Sequence, residues 1–136
     1  MASLDTNCLL RWMLNDIPEQ RDRIDALLSS QERLDVDDAA ITEAVFALDK
    51  GLGLARLTIQ GFVEAVLAQP VAANRTLWNR VFDIWTSHPK LSVVDVYLAV
   101  KARINECGPV YTFDLKMINQ LDGTAPVPLT PSPLAD

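Results

Sequence analysis

Histidine and cysteine are scarce in this chain, with His88 alone and two cysteines, Cys8 and Cys107, in 136 residues. A structural zinc site needs about four closely spaced thiolate or imidazole ligands, so zinc is excluded. The two cysteines lie far apart and form no disulfide framework. Both stand among apolar neighbours, the setting of free thiols that act as small hydrophobes in a reduced compartment. A secretory leader is not evident, because Asp5, Arg11 and Asp16 interrupt any apolar stretch at the start. The longest charge-free stretch, Gly123 to Ala135, carries four prolines and cannot form the helix of ~20 apolar residues that crosses a bilayer. The expectation is a cytoplasmic protein with no membrane partner. Positive charge is also short, at 12 Lys and Arg against 18 Asp and Glu, a net −6. Such a surface repels a polyanion on average, so a nucleic-acid partner would need a local site.

What the chain does have is apolar content, 49% of its residues. At this length roughly two thirds of the unfolded surface can be buried, enough for one core without metal or disulfide staples. Met1 to Leu4 reads as a very short strand. Apolar Cys8, Leu9, Trp12 and Met13 then follow at helical spacing. Pro18 suits the first turn of a second helix, and Arg33 to Val36 reads as a short strand. A helix from Asp38 should stop near Gly51 and Gly53. Thr58 opens another, which Pro70 ends. Asn74 and Ser92 are caps for the next two helices. PVYTF is the clearest strand, and a short helix, LKMINQL, follows it. Short strands alternating with helices predict an α/β domain with a small, mainly parallel sheet covered on both faces. The domain should span residues 1–122, and the proline-rich segment 123–136 should be an extended or disordered tail.

Four carboxylates stand out by context. Asp5 and Asp114 each fall where a strand gives way to a helix, and α/β proteins bind ligands beyond the carboxyl ends of their strands. Asp is also a favoured helix cap, so each position has an equally good structural explanation. Glu43 has only Ala39, Ala40, Phe46 and Ala47 three and four residues away, and Asp95 has Leu91, Leu98 and Ala99, with Ser92 its one polar neighbour at that spacing. A carboxylate inside an apolar patch calls for a cation. Carboxylates that converge in one crevice repel one another unless a cation lies among them. Oxygen-only ligands select Mg²⁺ or Mn²⁺ over zinc or copper. Such an ion in an open cleft suits hydrolysis of a phosphodiester.

The ordered set LDTNCLLRWM, VDDAAITEAVFAL, LSVVDVYLAVKA and GPVYTFDLKMINQL resembles PIN-domain proteins of the VapC toxin type, from Leu4 to about Leu121. The resemblance implies a PIN-like α/β/α sandwich. It also implies an Mg²⁺- or Mn²⁺-dependent endoribonuclease that cuts RNA and is silenced by a cognate antitoxin encoded beside it. It carries the acidic site onto Asp5, Glu43, Asp95 and Asp114, as catalytic and metal-binding residues. Asn7 matches the residue that braces the first aspartate, and Thr112 the polar residue before the last acid. A homodimer with grooves near the subunit junction is implied as well. Two features depart from the family: the first strand is clipped to Ala2, Ser3 and Leu4, and Lys116 stands where some relatives have another acid.

Arg11 and Lys116 are the cations nearest the expected crevice, and hence the candidates for RNA contact. Trp12, Trp78 and Trp85 each lie on an apolar helical stripe, which assigns them to a core or subunit interface rather than to base stacking. His88, before Pro89, reads as a surface loop residue. The stripe of Leu77, Val81, Ile84 and Trp85 suggests more apolar surface than one small core requires, and so a dimer. A phosphoacceptor receiver domain would need paired acids after the first strand, and only Asp5 stands there. A catalytically silent PIN-like module that binds a partner protein is the alternative reading.

Overall fold

Helix starts in this chain are set by side chains that accept the otherwise unpaired amides of a first turn. The computed structural model describes residues 1–129. Strand β1 (Ala2–Ser3) leads into helix α1 (Thr6–Leu14), capped by Asp5, whose Oδ1 accepts the Cys8 N–H at 2.8 Å. Helix α2 (Pro18–Leu28) has proline at its first position instead of a side-chain cap. After β2 (Leu34–Asp35), Asp37 caps α3 (Asp38–Phe46), accepting from the Ala39 N–H at 2.8 Å. Helix α3 continues into one π-helical turn, Ala47–Gly51. Gly53, at φ 64°, makes the left-handed turn that ends the run.

Helix α4 (Arg56–Leu67) begins two residues before Thr58, where the sequence had placed its start. Strand β3 (Val71–Ala72) follows at once. Asn74 and Ser92 cap α5 (Arg75–Trp85) and α6 (Val93–Ile104), as expected. Strand β4 (Val110–Thr112), helix α7 (Leu115–Gln120) and strand β5 (Thr124–Pro126) complete the described part. The chain is thus mixed α/β, with seven α-helices and small parallel sheets among the described residues.

One sheet has the order β1-β2-β3, all parallel, with Ala2 opposite Leu34 and Leu34 opposite Val71. The second pairs β4 with β5, Val110 opposite Thr124. Parallel pairing puts the carboxyl ends of β1, β2 and β3 on one edge, and α1, α3 and α5 all begin there. Of the segment read as a proline-rich tail, Thr124–Pro126 is an ordered strand, anchored by the Thr124 hydroxyl on the Met117 and Leu121 carbonyls. Residues 130–136, the rest of that expected tail, lie outside the described part.

The core is built mainly by helices. Trp78 and Trp85 are fully buried and Phe82 nearly so, and Trp78 stacks on Tyr97 at 5.5 Å between ring centres. The stripe taken as a dimer surface is used within the chain: Leu77, Val81 and Trp85 are completely buried. The Trp12 indole is likewise buried and donates to Asp25 Oδ1 at 2.7 Å. Cys107, expected among apolar side chains, is exposed, while Cys8 is half-buried.

Arg56 holds the turn between α5 and α6. Its guanidinium donates to the carbonyls of Trp85, His88, Pro89 and Leu91 at 2.8 to 3.1 Å, and it lies 4.2 Å from the Trp85 ring centre. Burial lowers its pKa, and Asp49 acts in the opposite direction. Arg56→Ala should lower stability by about 2–4 kcal/mol in urea denaturation, since several carbonyls lose a charged donor together. Arg56→Lys should recover little, because an ammonium cannot reproduce the planar fork. A loss under about 0.5 kcal/mol in Arg56→Ala would mean that the turn holds itself.

Candidate active site

Asp5 and Asp114 occupy equivalent places, each between a strand and the helix it caps. In both, Oδ1 makes the capping bond, Asp5 to the Cys8 N–H and Asp114 to the Lys116 N–H, each at 2.8 Å. A capping carboxylate keeps a second oxygen, so the capping and ligand-binding explanations do not exclude one another. The Asp5 carboxyl is held below its ordinary pKa, first by the Cys8 N–H, then by the Cys8 thiol and the Asn7 N–H, against a smaller opposing effect of burial. The Cys8 thiol moves the other way: burial and the facing carboxylate raise its pKa and keep it protonated. Asn7 thus supports Asp5 through its main-chain amide, while its side chain lines an adjoining cavity. The Thr112 hydroxyl accepts the Asp114 N–H at 3.0 Å, fixing the turn that presents the last acid.

Glu43 lies on α3, which packs against α1. The Thr6 hydroxyl, one residue after Asp5, donates to Glu43 Oε2 at 3.0 Å. That bond ties Glu43 to the first residue of α1, next in sequence to Asp5. The sequence had set Glu43 inside an apolar patch, but it is exposed, and its neighbour Phe46 is 52% exposed. Those apolar neighbours partly face solvent, so desolvation does not demand a cation at Glu43. Asp95 is half-buried in the first turn of α6, where the positive end of the helix dipole favours its charge.

Among the described residues, no three Asp, Glu, His or Cys side chains converge as a ready-made metal cage. Mg²⁺ does not require one, since it is commonly held by one or two carboxylates with water and substrate phosphate completing the shell. The hard oxygen donors of Asp5, kept ionised, and of Glu43, tethered by Thr6, fit that requirement.

Arg11 lines the cavity of about 430 Å³ that Asp5 borders, between α1 and α2. It is paired with Asp16 at 2.8 Å and half-buried, so it is not the free surface cation that the sequence suggested. Lys116 is exposed and beside Asp114. The tryptophans are packed or buried and present no stacking face. His88 lies in the loop between α5 and α6, as expected, but is half-buried, its Nδ1–H donating to the Ile84 carbonyl at 2.7 Å.

One carboxylate that sequence reasoning passed over is the best connected of all. Asp38 accepts from Trp78 Nε1 at 3.0 Å and from the Tyr97 hydroxyl at 3.1 Å. Lys101 in turn donates to the Tyr97 oxygen at 2.9 Å, and that bond raises the lysine pKa ahead of the charges of Asp38 and Asp37. Asp38 shares α3 with Glu43, and Tyr97 shares α6 with Asp95. The network therefore sets the position of one expected acid relative to another. Its sequence signal is weak, since the partners lie 40 and 59 residues away.

Asp38→Ala leaves an indole N–H and a phenol without their acceptor and should cost about 2–4 kcal/mol by urea denaturation. Asp38→Asn keeps one acceptor oxygen and should cost about half as much. Equal stability of wild type and Asp38→Ala would show that the network is not structural.

No family model, curated protein or solved structure matches this chain.

Proposed function

We propose that this protein is a metal-dependent endoribonuclease of the PIN type, a VapC-like toxin that cuts RNA and is neutralised by a cognate antitoxin. A PIN-like α/β/α arrangement, a homodimeric state and a cytoplasmic location belong to the same proposal. The observation that supports it best is the Thr6–Glu43 hydrogen bond, which ties the residue that follows Asp5 to the acid in the middle of α3. The N-cap placement of Asp114 after β4, and the place of Asp95 in the first turn of α6, support the remaining pair.

Asp5, Glu43, Asp95 and Asp114 are the residues that would hold Mg²⁺ or Mn²⁺. When bound, the ion supplies neutralisation of the phosphate's non-bridging oxygens and a lowered pKa for water at the site. The Asn7 and Cys8 amides keep Asp5 ionised, and Thr6 orients Glu43. Thr112 fixes the main chain that presents Asp114. Arg11, held by Asp16, and the exposed Lys116 supply positive charge for the RNA backbone.

Asp5→Asn, Glu43→Gln and Asp95→Asn should each lower RNA cleavage at least about a hundredfold. Asn is itself a good N-cap, so circular dichroism of Asp5→Asn should be unchanged. Thr6→Val should lose about tenfold, the usual scale for a residue that orients a ligand. EDTA should stop cleavage and added Mg²⁺ or Mn²⁺ restore it. Undiminished cleavage by Asp5→Asn or in EDTA would defeat the assignment. Wild-type protein that leaves RNA intact with either metal would favour a silent, partner-binding module instead.

In cells, production of the chain alone should arrest growth, and co-production of the antitoxin encoded beside it should restore growth. The antitoxin segment that covers the acidic site should be basic, because Arg binds carboxylates bidentately and displaces the metal. Harmless overproduction of soluble wild-type protein would contradict the toxin reading. Full inhibition by an antitoxin with those basic residues changed to alanine would contradict the account of its neutralisation.

A further inference from the structure

A second cavity, apart from the one at Asp5, measures about 530 Å³ and opens between α5, α6 and the end of α7. Its size falls in the usual range for small-molecule sites, roughly 300–1,000 Å³. Arg80 of α5 and Arg103 of α6 both border it, and neither forms an ion pair among the described residues. Elsewhere Arg11, Arg21, Lys50 and Lys101 lie against carboxylates, Arg56 and Arg75 are spent on main-chain carbonyls, and Arg23, Arg33, Lys90 and Lys116 have no ion pair either. What distinguishes Arg80 and Arg103 is that two unpaired guanidiniums border one cavity, in a chain of net charge −6.

His88 borders the same cavity. Because its Nδ1–H donates to the Ile84 carbonyl, the tautomer is fixed and Nε2 is the nitrogen left for a ligand. The remaining lining divides by chemistry. Ile84, Val100 and Leu121 give an apolar wall, while Gln120 and Asp122 add an amide and a carboxylate. A bare inorganic anion would gain nothing from the apolar wall and would be repelled by Asp122. A ligand carrying a phosphate, sugar hydroxyls and a flat apolar body would use all three parts. The guanidiniums suit the phosphate, a carboxylate suits ribose hydroxyls, and the wall suits a base.

We infer that this cavity is a ribonucleotide-binding site, separate from the acidic site at Asp5, in which Arg80 and Arg103 hold the phosphate and Asp122 the ribose. The ribonucleotide is either free or the terminal residue of an RNA strand. The inference rests on this cavity alone and does not require the nuclease reading.

Calorimetric titration of the full-length protein tests it, with adenosine and guanosine 5′-monophosphates, inorganic phosphate and a five-residue RNA as probes. EDTA is present throughout, so that metal-dependent cleavage is silent. A monophosphate should bind with a Kd below about 1 mM, and inorganic phosphate at least about tenfold more weakly. Arg80→Ala and Arg103→Ala should each weaken the nucleotide about tenfold or more, with Arg103→Lys between. Both arginines are exposed, so these variants should keep the wild-type circular dichroism. Binding of the pentamer, lost in Arg103→Ala and displaced by the monophosphate, identifies a strand end as the source. Binding of the monophosphate without the pentamer identifies the free nucleotide. Absence of nucleotide binding at several millimolar, or affinities unchanged in both arginine variants, overturns the inference. So do amide shifts in NMR spectra that centre on Asp5 rather than on His88 and Arg103.

Discussion

The Asp38 carboxylate does in this protein what long strands do in larger α/β folds. Strands β1, β2 and β3 are two residues each, so their ladders contribute only a few hydrogen bonds to holding the edge where α1, α3 and α5 begin. Helix packing has to set that edge. Trp78 on α5 and Tyr97 on α6 stack on one another and both donate to Asp38 at the start of α3. Three helices are thereby fixed by one half-buried acid. Arg56 complements it at the far end of α5 by gathering the carbonyls of the following turn. The acids of the proposed site share this rigidity, since Glu43 and Asp95 ride on helices that Asp38 joins.

The charge distribution shapes the proposed chemistry. Asp5 and Asp37 cap helices along the carboxyl edge of the sheet, so that edge carries negative side chains over positive helix ends. A polyanion approaching it meets repulsion until a divalent cation offsets the carboxylates. On the proposed reading, metal and RNA therefore bind cooperatively, and the net charge of −6 is no obstacle once the ion is present. Asp5 is suited to this role because the amides that cap α1 also favour its ionised form.

Much of this was legible in the sequence where the signal is local. Asp5, Asn74, Ser92 and Asp114 are caps because short polar side chains before an apolar periodic run have one good use. The α5 stripe was legible as apolar, but its partner was not. Burial of Leu77, Val81 and Trp85 against the chain's own helices depends on contacts far away in sequence. Strands β3 and β5 were missed because two or three residues show no alternation, and Pro126 argued against a strand although it is harmless at a sheet edge. Glu43 was found through helical spacing, but spacing could not show that part of its apolar surroundings faces solvent. Thr6, its actual partner, became visible only when α1 and α3 packed together. Asp38 was hidden for the same reason.

The proposed function requires that Asp5, Glu43, Asp95 and Asp114 serve one divalent cation, although they form no ready-made cage among the described residues. Titration of the isotopically labelled full-length protein with substoichiometric Mn²⁺, followed by paramagnetic broadening in NMR spectra, tests it most directly. Saturable broadening should be strongest for amides around Asp5, Thr6, Glu43, Asp95 and Asp114, and should be abolished in Asp5→Asn. Broadening confined to other surface carboxylates, or unchanged in Asp5→Asn, would contradict it.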